Sequence, residues 1–189
     1  MRRYQQLVDI IAEIKPRTII EVGTNSGTRA ELMIREASKH HSRVFYWGYD
    51  LFELATPDTD KAEMNGKTPA VGGIVKDRLE KTGAEINVFP GNTRDTLHGK
   101  VAMADFAFVD GGHSVETIRG DYEALKNSRC IILDDYYTSG VDTTKWGCNS
   151  LVADIPHRVL PIEDRFGSVG VKMVRIDRAQ EGDTPKLSV

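Results

Sequence analysis

Two cysteines in 189 residues, Cys130 and Cys148, are too few for a disulfide framework and lack any zinc-ligand spacing. Cys130 opens an apolar run and reads as a small core residue, so a reducing, cytoplasmic setting is expected. No apolar run is long enough to span a bilayer. The opening Met1-Arg2-Arg3-Tyr4-Gln5-Gln6 leads into an amphipathic, acid-bearing segment and not into the apolar centre of a signal peptide. Charge of one sign is also scarce: a net charge of -3 offers no broad attraction to nucleic acid or to an anionic membrane. Internal repeats are missing, as is any linker that would split the chain. The length suits one domain over residues 1–189, with a sizeable core.

What is there is a regular alternation of apolar strands and amphipathic helices. Leu7, Val8, Ile10, Ile11 and Ile14 recur at helical spacing, which predicts an N-terminal helix within residues 1–15, stopped by Pro16. Thr18–Val22 reads as a first strand, Gly23–Gly27 as a turn, and Thr28 to about Lys39 as a helix. Val44–Tyr49 is a second strand closed by Asp50, and Ile86–Phe89 a third. Between them lie an irregular polar stretch, Leu51–Thr68, and a helix over Pro69–Thr82 weakened at its start by Gly72 and Gly73. Phe106–Val109 is a fourth strand, Val115–Lys126 a helix and Cys130–Leu133 a fifth strand. Then the rhythm changes. A long loop, Tyr136–Asn149, precedes a helix around Ser150–Ile155 and two close strand-like runs, Arg158–Ile162 and Val169–Ile176, that predict an antiparallel hairpin. Residues 178–189 form a polar tail. Such alternation requires an α/β fold: a mostly parallel sheet with helices on both faces, plus an antiparallel hairpin. A dehydrogenase domain fits this pattern as well.

The fourth strand stops abruptly in Asp110-Gly111-Gly112-His113, and the fifth in Asp134-Asp135. Side by side in a parallel sheet, these tips bring three carboxylates and an imidazole to the edge where open α/β sheets bind ligands. The first turn, Glu21-Val22-Gly23-Thr24-Asn25-Ser26-Gly27, is a poor dinucleotide fingerprint: Asn25 stands at the second glycine position and Thr28 at the third. Those glycines admit a pyrophosphate close to the backbone. A loop without them suits a ligand lacking phosphates, such as S-adenosylmethionine. Asp50, closing the second strand, is placed to accept the ribose hydroxyls, and Glu21 to help hold the cationic methionine end.

Ile20-Glu21-Val22-Gly23 through Gly27, Tyr49-Asp50, Asp110-Gly111-Gly112-His113 and Leu133-Asp134-Asp135 together resemble the class I S-adenosylmethionine-dependent methyltransferases. The Val-Asp-Gly-Gly-His-Ser stretch resembles in particular the macrocin-type sugar O-methyltransferase branch, which is related to metal-dependent catechol-type enzymes. The likeness covers about residues 17–136 and keeps the family's motif order. It implies a Rossmann-like class I methyltransferase fold, with a seven-stranded, mostly parallel sheet. It also implies cofactor contacts from Glu21, Gly23, Thr24, Asn25, Ser26, Gly27, Asp50, Leu51, Gly91, Asn92, Thr93 and Asp110. Gly91, Asn92 and Thr93 match the adenine-contacting tip, although Asn92 and Thr93 are equally good turn and helix-cap residues. Catechol-type relatives commonly carry asparagine where this chain has Asp135; the added charge either favours a metal or raises a carboxylate's pKa.

Methyl transfer to oxygen needs a good nucleophile in line with the sulfonium methyl. A divalent ion acidifies and holds a hydroxyl, and magnesium suits hard oxygen ligands. The expected ligands are Asp110, Asp134 and Asp135, with His113 as general base because an imidazole titrates near neutral pH. His40 and His41 read as solvated; His98 and His157 have no acid or glycine context. Phe52–Thr68 and Tyr136–Asn149 are expected to cover the substrate, with Tyr136, Tyr137 and Trp146 as an aromatic wall or as packing. The expected activity is therefore O-methylation of a small sugar-containing or aromatic molecule. No nucleic-acid or membrane partner is expected, and homo-oligomerisation is open. The alternatives are a cofactor-binding module without catalysis, a Rossmann-type oxidoreductase, or the same fold using its metal for another reaction.

Overall fold

The computed structural model describes residues 2–63, 66 and 68–178, so the tail beyond Arg178 lies outside the described residues. Helix α1 (Gln5–Ile14) buries Leu7, Ile10, Ile11 and Ile14. It ends at Lys15, whose left-handed backbone lets its amide close on the Ile11 carbonyl just before Pro16. Strands β1 (Thr18–Val22), β2 (Phe45–Asp50), β3 (Glu85–Pro90), β4 (Phe106–Val109) and β5 (Cys130–Ser139) form a parallel sheet in the order β3-β2-β1-β4-β5. Antiparallel to β5 runs β8 (Val169–Asp177). The strand expected over Arg158–Ile162 breaks: β6 (Arg158–Val159) and β7 (Asp164–Phe166) pair in succession along the far edge of β8. Pro161 between them has no amide hydrogen to give to the ladder. The sheet is thus seven positions wide and holds eight strands.

Side-chain alternation divides the core. Ile19, Phe106, Phe108, Cys130 and Ile132 pack on one face with α1, α2 (Thr28–Ala37) and α4 (Gly72–Glu80). Ile20, Val22, Ala107, Val109, Ile131 and Leu133 pack on the other with α6 (Val115–Leu125) and α7 (Asn149–Val152). Between β3 and β4 a short α5 covers Thr93–Thr96.

Two further expectations are corrected. Leu51–Thr68 is not wholly irregular: it contains a 3-10 turn, Phe52–Leu54, and helix α3, Pro57–Ala62. Pro57 sits in the first turn of α3, and Thr56 and Thr59 cap each other reciprocally. Strand β5 does not stop at Leu133 but runs to Ser139 through a bulge, where the register with β8 shifts between Leu133 and Tyr136 and Asp135 takes φ 59°. Tyr136 and Tyr137 are therefore strand residues, and the loop that follows is shorter.

Candidate functional site

Register brings the site together. Val22 lies beside Tyr49 and Val109, and Val109 beside Leu133. The next residues, Gly23, Asp50, Asp110 and Asp134, therefore lie at one level across the sheet. Gly23 adopts φ 87°, and a Cβ there would lie 1.9 Å from the Asp110 carbonyl oxygen, so only glycine fits.

Above these tips lies a cleft walled by Gly23, Asn25, Asp50, Leu51, Gly91, Asn92, Thr93 and Asp110. Eight of the twelve residues expected to meet a cofactor thus share one wall. Asp50 accepts the Asn25 amide at 2.7 Å and the Phe52 amide at 2.8 Å, which fixes its carboxylate. Asn92 caps α5, accepting the Arg94 amide at 3.0 Å, and still faces the cleft. Tyr49 forms part of the wall and stacks on Phe89 with ring centres 4.6 Å apart.

Glu21, Thr24, Ser26 and Gly27 are not on that wall. Strand alternation turns Glu21 down onto the α1–α2 face, where it is fully buried and accepts a hydrogen bond from Tyr46. Among the described residues its Oε1 finds no hydrogen-bond donor; it lies 3.8 Å from Arg29 Nε. Burial pushes its carboxyl up to about 8, against the opposing pull of Arg29. Thr24 is buried with its hydroxyl 3.1 Å from that of Tyr46. Ser26 is exposed, and Gly27 caps α2 with φ 75°.

The same alternation points Asp110 and Asp134 at α1 and α2. Asp110 pairs with Arg29 at 2.6 Å and accepts from the Tyr4 hydroxyl at 3.2 Å. Asp134 accepts from Arg3 Nε and Nη2 at 2.9 and 2.8 Å and from the Tyr4 hydroxyl at 2.8 Å. Burial opposes its ionisation, yet the Arg3 hydrogen bonds and charge hold it below the usual carboxylate range. Both Asp134 oxygens are thus taken, and the structure does not bring it to the imidazole.

Asp135 goes elsewhere because of the bulge. Its carboxylate lies 3.4 Å from His113 Nε2. Burial, and next the charge of Asp134, push it up to about 7. Asp110, His113 and Asp135 each offer a ligand atom, all within 4.8 Å of one another. Two buried carboxylates this close repel each other, so the pair fits a divalent cation between them, with the imidazole at its side. The group differs from the expected one by containing His113 instead of Asp134.

Backbone bonds tie these tips together. Gly147 donates to the His113 carbonyl at 2.8 Å and Cys148 to the Asp135 carbonyl at 3.1 Å. Trp146 pairs with Ser114 across the same seam and is half-buried. Tyr136, Tyr137 and Trp146 are not part of the cleft wall; burial, and next the charge of Asp135, raise the pKa of the Tyr137 hydroxyl. His98, to which the sequence assigns nothing, pairs with buried Asp121 at 2.8 Å. Four contributors escape sequence reading: Arg3, Tyr4, Arg29 and Glu63, the last of which lies on the cleft wall opposite the sheet.

No protein-family profile matches the chain, and no curated relative matches it. Solved structures do. The O-methyltransferase NovP shares 19% identity with a TM-score of 0.63, covering 95% of this chain and 78% of its own. An O-methyltransferase from Bacillus cereus in complex with S-adenosylhomocysteine shares 17% identity with a TM-score of 0.60, covering 94% and 81%. TomG from Streptomyces achromogenes, an O-methyltransferase of tomaymycin synthesis solved with S-adenosylmethionine, shares 14% identity with a TM-score of 0.56, covering 94% and 80%. At these identities the likeness is one of fold.

Proposed function

We propose that this chain transfers the methyl group of S-adenosylmethionine to a hydroxyl of a small molecule, with a divalent cation, magnesium if the carboxylate oxygens of Asp110 and Asp135 alone hold it, beside His113. The observation that carries this reading is the junction of two features at one sheet edge. A cleft walled by Gly23, Asp50 and Asn92 adjoins, through Asp110, a cluster of one imidazole and two carboxylates. Solved proteins of the same fold carry S-adenosylmethionine or S-adenosylhomocysteine.

Asp50 and Asn92 would orient the nucleoside, and Gly23 lets the backbone approach the cofactor. Asp110 and Asp135 would hold the cation, which when bound lowers the pKa of an acceptor hydroxyl and fixes its position. His113 takes the hydroxyl proton on Nε2. Its Nδ1 lies 2.6 Å from the Glu63 carbonyl, which can only accept, so Nδ1 carries a hydrogen and, in the neutral ring that acts as base, Nε2 carries the lone pair. Arg29 and Arg3 offset the negative charge of Asp110 and Asp134.

Among the described residues, no helix is long and apolar enough to cross a membrane. Both cysteines are free and buried, which supports a reducing, cytoplasmic setting.

Titration of the purified protein with S-adenosylhomocysteine, with and without chelator, tests the reading. Binding in the micromolar range that survives chelation, with turnover lost on chelation, is expected. Absence of binding overturns it.

The pairing of Asp134 with Arg3 favours a second reading, a cofactor-binding module without turnover. A His113→Ala variant that keeps cofactor affinity and loses methyl transfer separates the two.

A further inference from the structure

The cleft is covered in part by the segment from Phe52 to Glu63, whose Ala55, Thr59, Ala62 and Glu63 line it. The root of this cover is fixed. Phe52 is buried in the core, and Glu53 accepts the Gly72 amide at 2.8 Å. Among the described residues, its far end is held by Glu63. The Glu63 carboxylate accepts from the Ser114 amide at 2.8 Å, the Ser114 hydroxyl at 3.0 Å and the Thr117 hydroxyl at 2.6 Å. Three donors from the first turn of α6 thus converge on one carboxylate, where a helix N-terminus favours negative charge.

The backbone of the same residue does something else. Its carbonyl is the acceptor for His113 Nδ1. The ring on which proton removal depends thus faces Asp135 of the sheet through Nε2 and is hydrogen-bonded to the cover through Nδ1.

Gly112 makes the arrangement sterically feasible. A Cβ there would lie 2.8 Å from Glu63 Oε2 and 2.7 Å from Thr117 Cγ2. The second glycine of Asp110-Gly111-Gly112-His113 leaves room for the latch.

From this geometry we infer that Glu63 is a positioning residue coupling two events: enclosure of the cofactor cleft and selection of the His113 tautomer with a free Nε2. Its side chain fastens the cover to α6, and its carbonyl sets the imidazole. An open cover leaves His113 free to exchange tautomers, so a base facing Asp135 is assembled only when the cleft is closed. The inference rests on the cofactor reading given above.

The test uses the full chain and S-adenosylhomocysteine as probe, with Glu63→Ala and Glu63→Gln variants. Two quantities are read: the dissociation rate of the probe by stopped flow, and the two ring 15N resonances of His113 in the metal-free complex. Glu63→Ala is expected to release the probe at least about tenfold faster, and to draw the two 15N resonances toward each other as both tautomers become populated. In Glu63→Gln the amide oxygen still accepts from Ser114 and the backbone carbonyl is unchanged. Both readouts should stay within about threefold of the parent or return toward it.

A Glu63→Ala protein in which either readout stays at the parental value overturns the coupling. Should that variant fail to fold, Thr117→Val removes one latch bond while Ser114 still caps α6, and the same two readouts must move together in the same directions. Failure of the parent to bind the probe is a different result: it overturns the cofactor reading itself.

Discussion

Arg3 closes on Asp134 with two hydrogen bonds, at 2.9 and 2.8 Å, and both side chains are almost wholly removed from solvent. Tyr4 adds a third bond to the same carboxylate at 2.8 Å. Arg3 and Tyr4 are thus fastened to the bulge inside β5. Arg3→Ala leaves a buried carboxylate without its cation, and about 3–5 kcal/mol of stability should be lost. Urea unfolding reads this directly. The double variant Arg3→Met with Asp134→Leu should recover most of the loss, because both charges leave together. A single-variant cost below about 1 kcal/mol would mean that the pair is solvated in solution.

The different fates of the two neighbouring aspartates separate two ligand sets. If Asp110 and Asp135 hold the cation, Asp135→Asn should weaken magnesium binding on the order of tenfold or more. Asp134→Asn should change it far less and act mainly on stability. Calorimetric titration with magnesium chloride decides between them. A larger loss from Asp134→Asn would restore the set read from the motif.

Glu21 makes stability depend on pH. Its carboxyl sits near 8 in the folded protein against an ordinary value of 4.5, because burial disfavours the charged form. A raised folded-state value means that the native protein holds a proton the unfolded chain releases. The contribution is therefore complete below about pH 4.5 and is lost as pH rises toward 8. Glu21→Gln should flatten that slope, with an advantage over the parent on the order of a few kcal/mol at pH 8 that disappears near pH 5. Melting temperatures across this window test it. A constant difference between the two proteins would rule out titration of Glu21.

Gly23 and Gly73 make a matched pair. At Gly23 a methyl group meets the Asp110 carbonyl at 1.9 Å and the backbone is left-handed, so Gly23→Ala should cost about 3 kcal/mol and abolish S-adenosylhomocysteine binding. At Gly73, in the first turn of α4, nothing lies within 4 Å of the added methyl. Gly73→Ala should stabilise by about 0.5–1 kcal/mol and leave binding unchanged. Thermal melts and titrations of the two variants provide the comparison.

The strand tips were legible because each ends an apolar run in a charged or turn-forming residue, as at Tyr49-Asp50 and Val109-Asp110. Even the fate of Glu21, Asp110 and Asp134 is latent in the sequence. Counting alternate positions through Ile20-Glu21, Val109-Asp110 and Leu133-Asp134 puts all three on the face opposite Ile20, Val109 and Leu133, where α1 and α2 pack. A bulge is different. Nothing local in Asp134-Asp135-Tyr136 announces that the chain will take a left-handed step and continue as strand, because that step is stabilised by the Cys148 amide and by the ladder to β8. Arg3, Tyr4 and Glu63 were equally hidden. Their partners lie 131, 130 and 51 residues away, and contacts at such separations leave no periodic trace.

The adjacent amides of Gly147 and Cys148 hold the carbonyls of His113 and Asp135 in one grip. Lengthening or shortening the chain between Lys145 and Cys148 would therefore respace the imidazole and the carboxylate at once. Variation in what this scaffold accepts has little room there.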